Sequence, residues 1–245
     1  MAADTNEQTG ILSSRYTFKR KIATIATHLS LIILSLIIAS PIIFALLAST
    51  QSTSAIFSYP PKLLPGDSFL KNYSLAWGDY NLGNMMLNST IIALSVTVGK
   101  TIISIMAAMA FVYFNFPFKK LIFAVVLITL MLPVPVRIVS LFDLVRQLGL
   151  GDTYYALIFP FLASATGTFL FRQHFKSIPT SLVDAARVDG AGPFRFMVQI
   201  LVPMSLNTIG ALAVIEFIYM WNQYLWPLII ISSEEKQVIQ LGMKM

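Results

Sequence analysis

Five long apolar stretches dominate the chain and restrict what it can fold into. A helix that crosses a bilayer needs about 20 mostly apolar residues. Hydrophobic residues make up 56% of the chain and charged residues only 11%, against roughly a quarter charged in soluble proteins. This composition argues against a soluble enzyme and against a disordered chain. The sequence therefore predicts an all-α, polytopic helical membrane protein with spans at about 22–48, 85–113, 121–140, 154–171 and 209–231.

The distribution of Lys and Arg between the loops indicates the orientation, because cytoplasmic loops collect basic residues. If the spans alternate, ten basic residues fall on the N-terminal side and five on the other, so the net charge of +6 reports orientation. We predict a cytoplasmic tail over 1–21, a transmembrane domain over 22–231 and an extracytoplasmic C-terminal end over 232–245. The ten basic residues are Arg15, Lys19, Arg20, Lys21, Lys119, Lys120, Arg172, Lys176, Arg187 and Arg195.

The segment 175–203 lies on the predicted cytoplasmic side and carries signals for two short helices. Ser181 can cap the first helix, and Gly190 suits the left-handed residue that follows a helix end. Pro193 is well placed at the first position of the second helix. The first helix has an apolar side although its loop faces water. It either packs on its own bundle as a connector or docks on a partner, and the residues leave both interpretations open.

Within this segment stand Asp184-Ala185-Ala186, Asp189-Gly190-Ala191 and Pro203. They resemble the EAA loop of membrane subunits of ATP-binding-cassette (ABC) importers, whose short coupling helices insert into a cleft on an ATPase subunit. Asp184 stands where the family has Glu, and Met197 stands where it has an aromatic residue. The resemblance implies a type I ABC importer transmembrane domain, which normally has six spans, so we expect the chain to stop before a sixth. It also assigns ATPase coupling to Asp184, Ala185, Ala186, Asp189, Gly190 and Ala191.

A narrower likeness covers most of the chain. The stretches 128–138, 163–166, 169–173 and 221–227 resemble those of permeases in the carbohydrate-uptake branch, in particular permeases for sn-glycerol-3-phosphate. The resemblance implies import of this compound, or of a related glycerophosphodiester or sugar, by alternating access. Its other implications are a bacterial cytoplasmic membrane location, membrane lipid around the chain, and a role without nucleic acid. The implied partners are a sister permease subunit, two copies of an ATPase subunit and an extracytoplasmic substrate-binding protein.

The motifs of other function classes are absent from the sequence. The chain has no Gly-x-Ser-x-Gly, no His-Glu-x-x-His and no Walker loop, so we expect neither an enzyme nor ATP hydrolysis by this chain. With no Cys and with His28 and His174 far apart, we expect no metal and no bound cofactor. ATP and Mg would be used by the partner ATPase. The alternatives are a permease for another carbohydrate, or an ion-coupled transporter or channel that has no ATPase partner.

Three ionisable residues, Lys100, Arg137 and Glu216, fall in or near the predicted spans, where a charge is costly to insert. Arg137 either binds a phosphate-bearing substrate or snorkels to the interface or pairs with Glu216 or Asp143. Glu216 either pairs with Lys100 or Arg137 or lines the pathway and accepts hydrogen bonds from substrate hydroxyls.

Two amides and three aromatic residues lie near the end of the fifth predicted span. Asn222 and Gln223 either recognise a polyol or belong to an interfacial aromatic belt. For Trp226, which lies close by with Trp221 and Tyr224, we predict the belt. Small residues four apart, such as Ala163 and Gly167, and the group Ser104, Ala107 and Ala108 predict close packing between spans.

Overall fold

The computed structural model describes residues 3–242, with side chains from Lys21 onward except those of Ile22 and Val134. Every regular element in this described range is helical, as the sequence predicts. The chain divides into two compact units, Met1–Asp79 and Tyr80–Met245. The side chains of Arg15, Lys19 and Arg20, which contributed to the predicted orientation, lie outside the described residues.

The first unit contains the first predicted span. Within its longest helix, Ala23–Ser49 is long and apolar enough to cross a membrane, so the predicted stretch is helical. The amide of Asn72 donates to the carbonyls of Ser49 and Gln51, both at 2.8 Å, and so holds the last helix of the unit against the end of the first. The helices of this unit are α1 (Ala3–Ser49), α2 (Thr53–Ile56) and α3 (Phe69–Gly78).

The second unit is built around one long helix, Leu82–Tyr113, which covers the second predicted span and is long and apolar enough to cross a membrane. Its α-helices are α4 (Leu82–Tyr113), α5 (Lys119–Ile128), α6 (Val134–Gln147), α7 (Tyr154–Ile158), α8 (Ala165–Ser177), α9 (Thr180–Val188), α10 (Pro193–Phe196), α11 (Val202–Met204), α12 (Leu206–Trp221), α13 (Leu225–Ile230) and α14 (Ile239–Gly242). Single 3-10 turns cover Thr129–Met131, Phe159–Phe161 and Glu234–Lys236, and a π-helical turn covers Met197–Leu201.

Helix α4 packs mainly against α8 and α12. Small residues let these helices approach closely, as the sequence predicts. A Cβ added to Gly167 would lie 2.9 Å from Ser104 Cβ and 3.2 Å from Leu212 Cδ2. Ser104 and Leu212 are themselves fully buried, so the contact lies in the interior of the unit.

Three of the predicted spans are bent. Between residues 119 and 147 the chain turns by 106°, next to Pro133 and Pro135. Between 154 and 177 it bends by 42°, so the fourth span, predicted as one helix over 154–171, is two helical pieces. Pro160 lies in the first piece, and proline removes a backbone donor and crowds the preceding turn. Two helices are long enough to cross a membrane in the described residues, or up to five when each bent pair is counted as one span.

The bounds predicted for the fifth span are wrong. The helix that begins at Leu206 ends at Trp221, and Leu225–Ile230 forms a separate helix. A continuous helix would need a backbone N–H from residue 227 to the carbonyl of residue 223, and Pro227 has none. On the N-terminal side of this break, 193–204 and 206–221 form a pair bent by 79°.

Candidate functional site

A cavity of about 410 Å³ lies among the central helix and the breaks in its neighbours. Its walls come from α4, from the proline break between α5 and α6, from the break before α8 and from α12. Broken helices at membrane depth are tolerated where the freed backbone groups line a polar cavity. The charged residues of the lining are Lys100, Arg137 and Glu216, which are the three charges that the sequence places inside spans.

Lys100 and Glu216 form a buried ion pair. Lys100 Nζ lies 2.5 Å from Glu216 Oε2, and each residue is 6% exposed. Ser164 Oγ donates to the other carboxylate oxygen at 3.4 Å, and Lys100 Nζ lies 5.4 Å from the ring centre of Tyr219. Of the pairings open to Glu216, the structure selects Lys100. The pair neutralises both charges and still faces the cavity.

Arg137 lies in the first turn of α6 and is exposed. It forms no ion pair with any residue in the described part of the chain. Of the alternatives predicted for Arg137, the pairing with Glu216 or Asp143 is therefore wrong. Its guanidinium is therefore available to a ligand in the cavity or to the membrane interface. The structure places Arg137 and Glu216 on one cavity, which the sequence alone does not do.

The amides of Asn222 and Gln223 do not line this cavity. Asn222 Nδ2 donates to the carbonyl of Ile218 at 2.8 Å and closes the end of α12. Nearby Trp226 is only 1% exposed and donates from Nε1 to the carbonyl of Ala156 at 2.9 Å. The prediction that Trp226 belongs to an interfacial belt is therefore wrong. Its ring is buried in an apolar cluster that includes Ala156, a residue far away in sequence.

The segment 175–203 forms the two predicted helices, α9 and α10. Gly190 has φ +69°, as predicted, and two hydrogen bonds close the end of α9: Ala191 N donates to Ala186 O at 2.9 Å and Gly190 N to Arg187 O at 3.1 Å. This pair of hydrogen bonds is the Schellman motif that ends a helix. Pro193 opens α10, as predicted. Ser181 does not cap α9, since the helix already begins at Thr180 after Pro179.

One side of the helix pair is packed and the other is open. Ala186 and Phe196 are buried in an apolar cluster with residues of α4 and α8. Tyr113, at the end of α4, stacks edge-on against Phe196 at 5.2 Å and donates to the carbonyl of Phe175 at 3.1 Å. On the open side, Val188 is 88% exposed and Phe194 is 75% exposed. The helix pair is therefore anchored to α4 and α8 on one side and presents exposed apolar side chains on the other.

Residues 100–243 match the family described as binding-protein-dependent transport system inner membrane component. The chain belongs to this family. It is 45% identical over 232 residues to the sn-glycerol-3-phosphate transport system permease protein UgpE of Agrobacterium fabrum, covering 92% of this chain and 82% of that one. The proteins of the same name from Brucella abortus (strain 2308) and Salmonella choleraesuis are also 45% identical, over 92% of this chain and 83% and 82% of theirs.

The fold of this inner membrane component is that of a solved importer. The crystal structure of a bacterial ABC transporter involved in the import of the acidic polysaccharide alginate matches with a TM-score of 0.78, at 24% identity, over 91% of this chain and 79% of that one. The chain is thus a permease subunit of a binding-protein-dependent ABC transport system, with the type I importer fold that the resemblance implied.

Two residues that contact the ion pair were not among the site residues predicted from the sequence. Ser164 and Tyr219 contact the ion pair, but nothing in their local sequence distinguishes them from other polar residues at helix ends and on apolar helices. Ser164 also accepts a hydrogen bond from Gly167 N at 3.0 Å and so caps α8. That Ser-x-x-Gly start could have been recognised as a helix cap, although its contact with Glu216 could not.

Proposed function

We propose that this chain forms part of the membrane pathway of an ATP-driven importer for sn-glycerol-3-phosphate or a related glycerophosphodiester. The observation that carries the proposal is the cavity with two cations, Lys100 and Arg137, against one anion, Glu216. A guanidinium binds phosphate oxygens in a bidentate manner, and the surplus positive charge favours a phosphate-bearing ligand over an uncharged sugar. The names of the relatives at 45% identity support the same substrate.

In this proposal the ATPase acts through the segment 180–191. The coupling role is assigned to Asp184, Ala185, Ala186, Asp189, Gly190 and Ala191. The exposed members Asp184, Ala185, Asp189 and Gly190 would enter a cleft on a separate ATPase subunit. Ala186 is buried and would anchor the segment to the bundle. The complete importer would contain a sister permease, two ATPase copies that use ATP and Mg, and an extracytoplasmic binding protein. The N-terminus and the coupling segment would face the cytoplasm, residues 22–231 would hold the spans, and residues 232–242 would face the opposite side. Asn222 and Gln223 lie outside the cavity lined by Arg137, at the end of α12. For them both sequence-based interpretations stand, a polyol contact or a place in the aromatic belt.

Substitution of Arg137 tests the substrate role. We expect Arg137→Ala to weaken the apparent affinity of uptake for labelled sn-glycerol-3-phosphate by about 10- to 100-fold, since a charge-assisted hydrogen bond is worth about 1.5–3 kcal/mol. Arg137→Lys should lose less, because the charge stays while the bidentate geometry is lost. Arg146→Ala is the matched control, because Arg146 lies on the same helix and outside the cavity. An unchanged apparent affinity for sn-glycerol-3-phosphate in both Arg137 variants would show that Arg137 does not bind the substrate phosphate.

Substitution of Gly190 tests the coupling role separately. Its φ of +69° is strained for any residue with a Cβ, although nothing lies within 4 Å of the added atom. Gly190→Ala should therefore distort the end of α9 and lower both retention of the ATPase subunit on copurification and substrate-stimulated ATP hydrolysis. Gly192→Ala is the control, because Gly192 has φ −66° and equally open surroundings. Equal behaviour of the two variants would argue against coupling through this turn.

A further inference from the structure

A second cavity, of about 740 Å³, lies between the end of α4, the start of α5 and the end of α8. No acidic residue is among its lining residues, whereas four cationic residues are. The walls between the cations are aromatic: the rings of Phe111 and Phe123 lie 5.2 Å apart, edge to face, and Phe116 lies 5.8 Å from Phe111. The four cations are Lys119, Lys120, Arg172 and Lys176.

Arg172 is the most constrained of the four. Its Cζ lies 4.0 Å from the ring centre of Phe123, a cation–π contact that fixes the guanidinium plane. Its Nε is buried and has no hydrogen-bond partner within the described part of the chain. Buried N–H groups are nearly always hydrogen-bonded. An unsatisfied donor on a fixed, charged group therefore points to an acceptor outside the described residues.

The remaining three cations also favour binding of an anion in the cavity. Lys119 Nζ donates to the carbonyl of Phe114 at 2.7 Å, which holds its charge at the mouth of the cavity. Lys120 and Lys176 are exposed, and neither forms an ion pair with a described residue. Like charges gathered on one cavity repel one another, and a bound anion relieves that repulsion.

The position of the cavity identifies the kind of anion. It lies where three helices that belong to candidate spans begin or end, which is the level of the lipid headgroups in a membrane protein. Two of its lining residues, Phe118 and Leu121, are 74% and 61% exposed, so the surface next to the cations is apolar. A phosphate group in the cavity would place its acyl chains along this exposed side of α5. Basic pockets between membrane helices bind anionic headgroups in this way.

We propose that Lys119, Lys120, Arg172 and Lys176 form a binding site for the phosphate of an anionic phospholipid such as phosphatidylglycerol. Under the orientation proposed above, the lipid belongs to the cytoplasmic leaflet; the binding itself does not depend on that orientation. Because Lys176 lies four residues before α9, a lipid at this site would brace the end of α8 next to the coupling segment. The site is separate from the cavity that holds Arg137 and Glu216.

Titration of the complete transporter tests the site. The chain is purified with its partner subunits in detergent, and phosphatidylglycerol or phosphatidylcholine is added while bound lipid is counted by native mass spectrometry. Each basic residue near an anionic lipid raises the binding affinity about fivefold. We therefore expect Arg172→Gln and Lys176→Gln each to weaken phosphatidylglycerol binding about fivefold, and the double variant about 25-fold. Binding of phosphatidylcholine should not change.

Arg146→Gln is the matched control, because Arg146 also lies over an aromatic ring, at 5.6 Å from the centre of Phe142, but does not line the cavity. Lys176→Gln, at an exposed position, keeps the test valid even if Arg172→Gln fails to fold. Unchanged phosphatidylglycerol binding in the double variant overturns the proposal. So does binding of inorganic phosphate alone as tight as that of the lipid, which would assign the site to a free anion. Loss of the ATPase subunit with unchanged lipid binding would assign the cations to that partner instead.

Discussion

At the scale of single residues, the ion pair of Lys100 and Glu216 gives the clearest stability prediction. Removing one partner leaves the other charge buried and uncompensated, which costs about 3–5 kcal/mol, whereas apolar replacement of both is often nearly neutral. We expect Lys100→Met to lower the thermal midpoint of the purified transporter more than the double variant Lys100→Met/Glu216→Met does. The midpoint is measured in detergent by a fluorescence-detected melt.

The exposed pair of Arg187 and Asp184 provides the control for this experiment. Its atoms are 3.6 Å apart, and its side chains are 69% and 68% exposed. Exposed pairs contribute little, so Arg187→Met should leave the midpoint almost unchanged. If the double variant lowers the midpoint as much as Lys100→Met or more, the pair does not act as a coupled unit, and its place in the cavity needs another explanation.

At the scale of helices, the close approach of α8 to α4 depends on Gly167. A Cβ there would overlap Ser104 Oγ, and both neighbours that it meets are buried, so neither can move aside easily. Forcing extra volume into a packed interior costs about 1–3 kcal/mol. Gly167→Ala should lower the thermal midpoint, although alanine favours the helix itself.

Gly210→Ala separates helix propensity from packing. Gly210 also lies within a helix, α12, but a Cβ there would meet nothing within 4 Å. Because alanine is favoured over glycine in a helix by about 1 kcal/mol, this variant should keep or raise the midpoint. A similar loss in both variants would contradict the packing explanation for Gly167.

The helices also show which features can be predicted from sequence. Gly190 and Pro193 were interpretable because the constraint resides in the residue itself: one tolerates positive φ and the other lacks a donor. The end of the fifth span was predicted wrongly, because apolar composition continues past Trp221 while the helix does not. Pro227, which lacks a backbone N–H, indicates in the sequence that the helix cannot continue unbroken through this stretch. The burial of Trp226 and the choice of Lys100 as partner of Glu216 depend on residues 70 and 116 positions away, which no local pattern encodes.

At the scale of the second unit, Asp152 joins two distant segments. It has φ +55° and accepts hydrogen bonds from the backbone N–H groups of Ser232 at 2.9 Å and Ser233 at 3.0 Å, and from Ser233 Oγ. Lys236 Nζ lies 3.2 Å from the same carboxylate. The bonds from Ser233 are the main reason that the pKa of Asp152 is held well below its usual range, followed by that from Ser232. The loop before α7 is thereby joined to the segment that follows α13.

The lowered pKa makes this connection sensitive to acid. A carboxyl group with a depressed folded-state pKa stabilises the fold fully above its unfolded pKa, which is about 3.9, and the contribution is lost as the pH falls below that value. Asp152→Asn should therefore lower the thermal midpoint at pH 7, and the gap to the unsubstituted protein should narrow as the pH falls from about 4 towards 2. Asp143→Asn, at an exposed carboxylate outside this network, is the control and should leave the thermal midpoint at pH 7 almost unchanged. A gap for Asp152→Asn that stays constant from pH 7 to pH 2 would show that the carboxylate charge does not hold the two segments together.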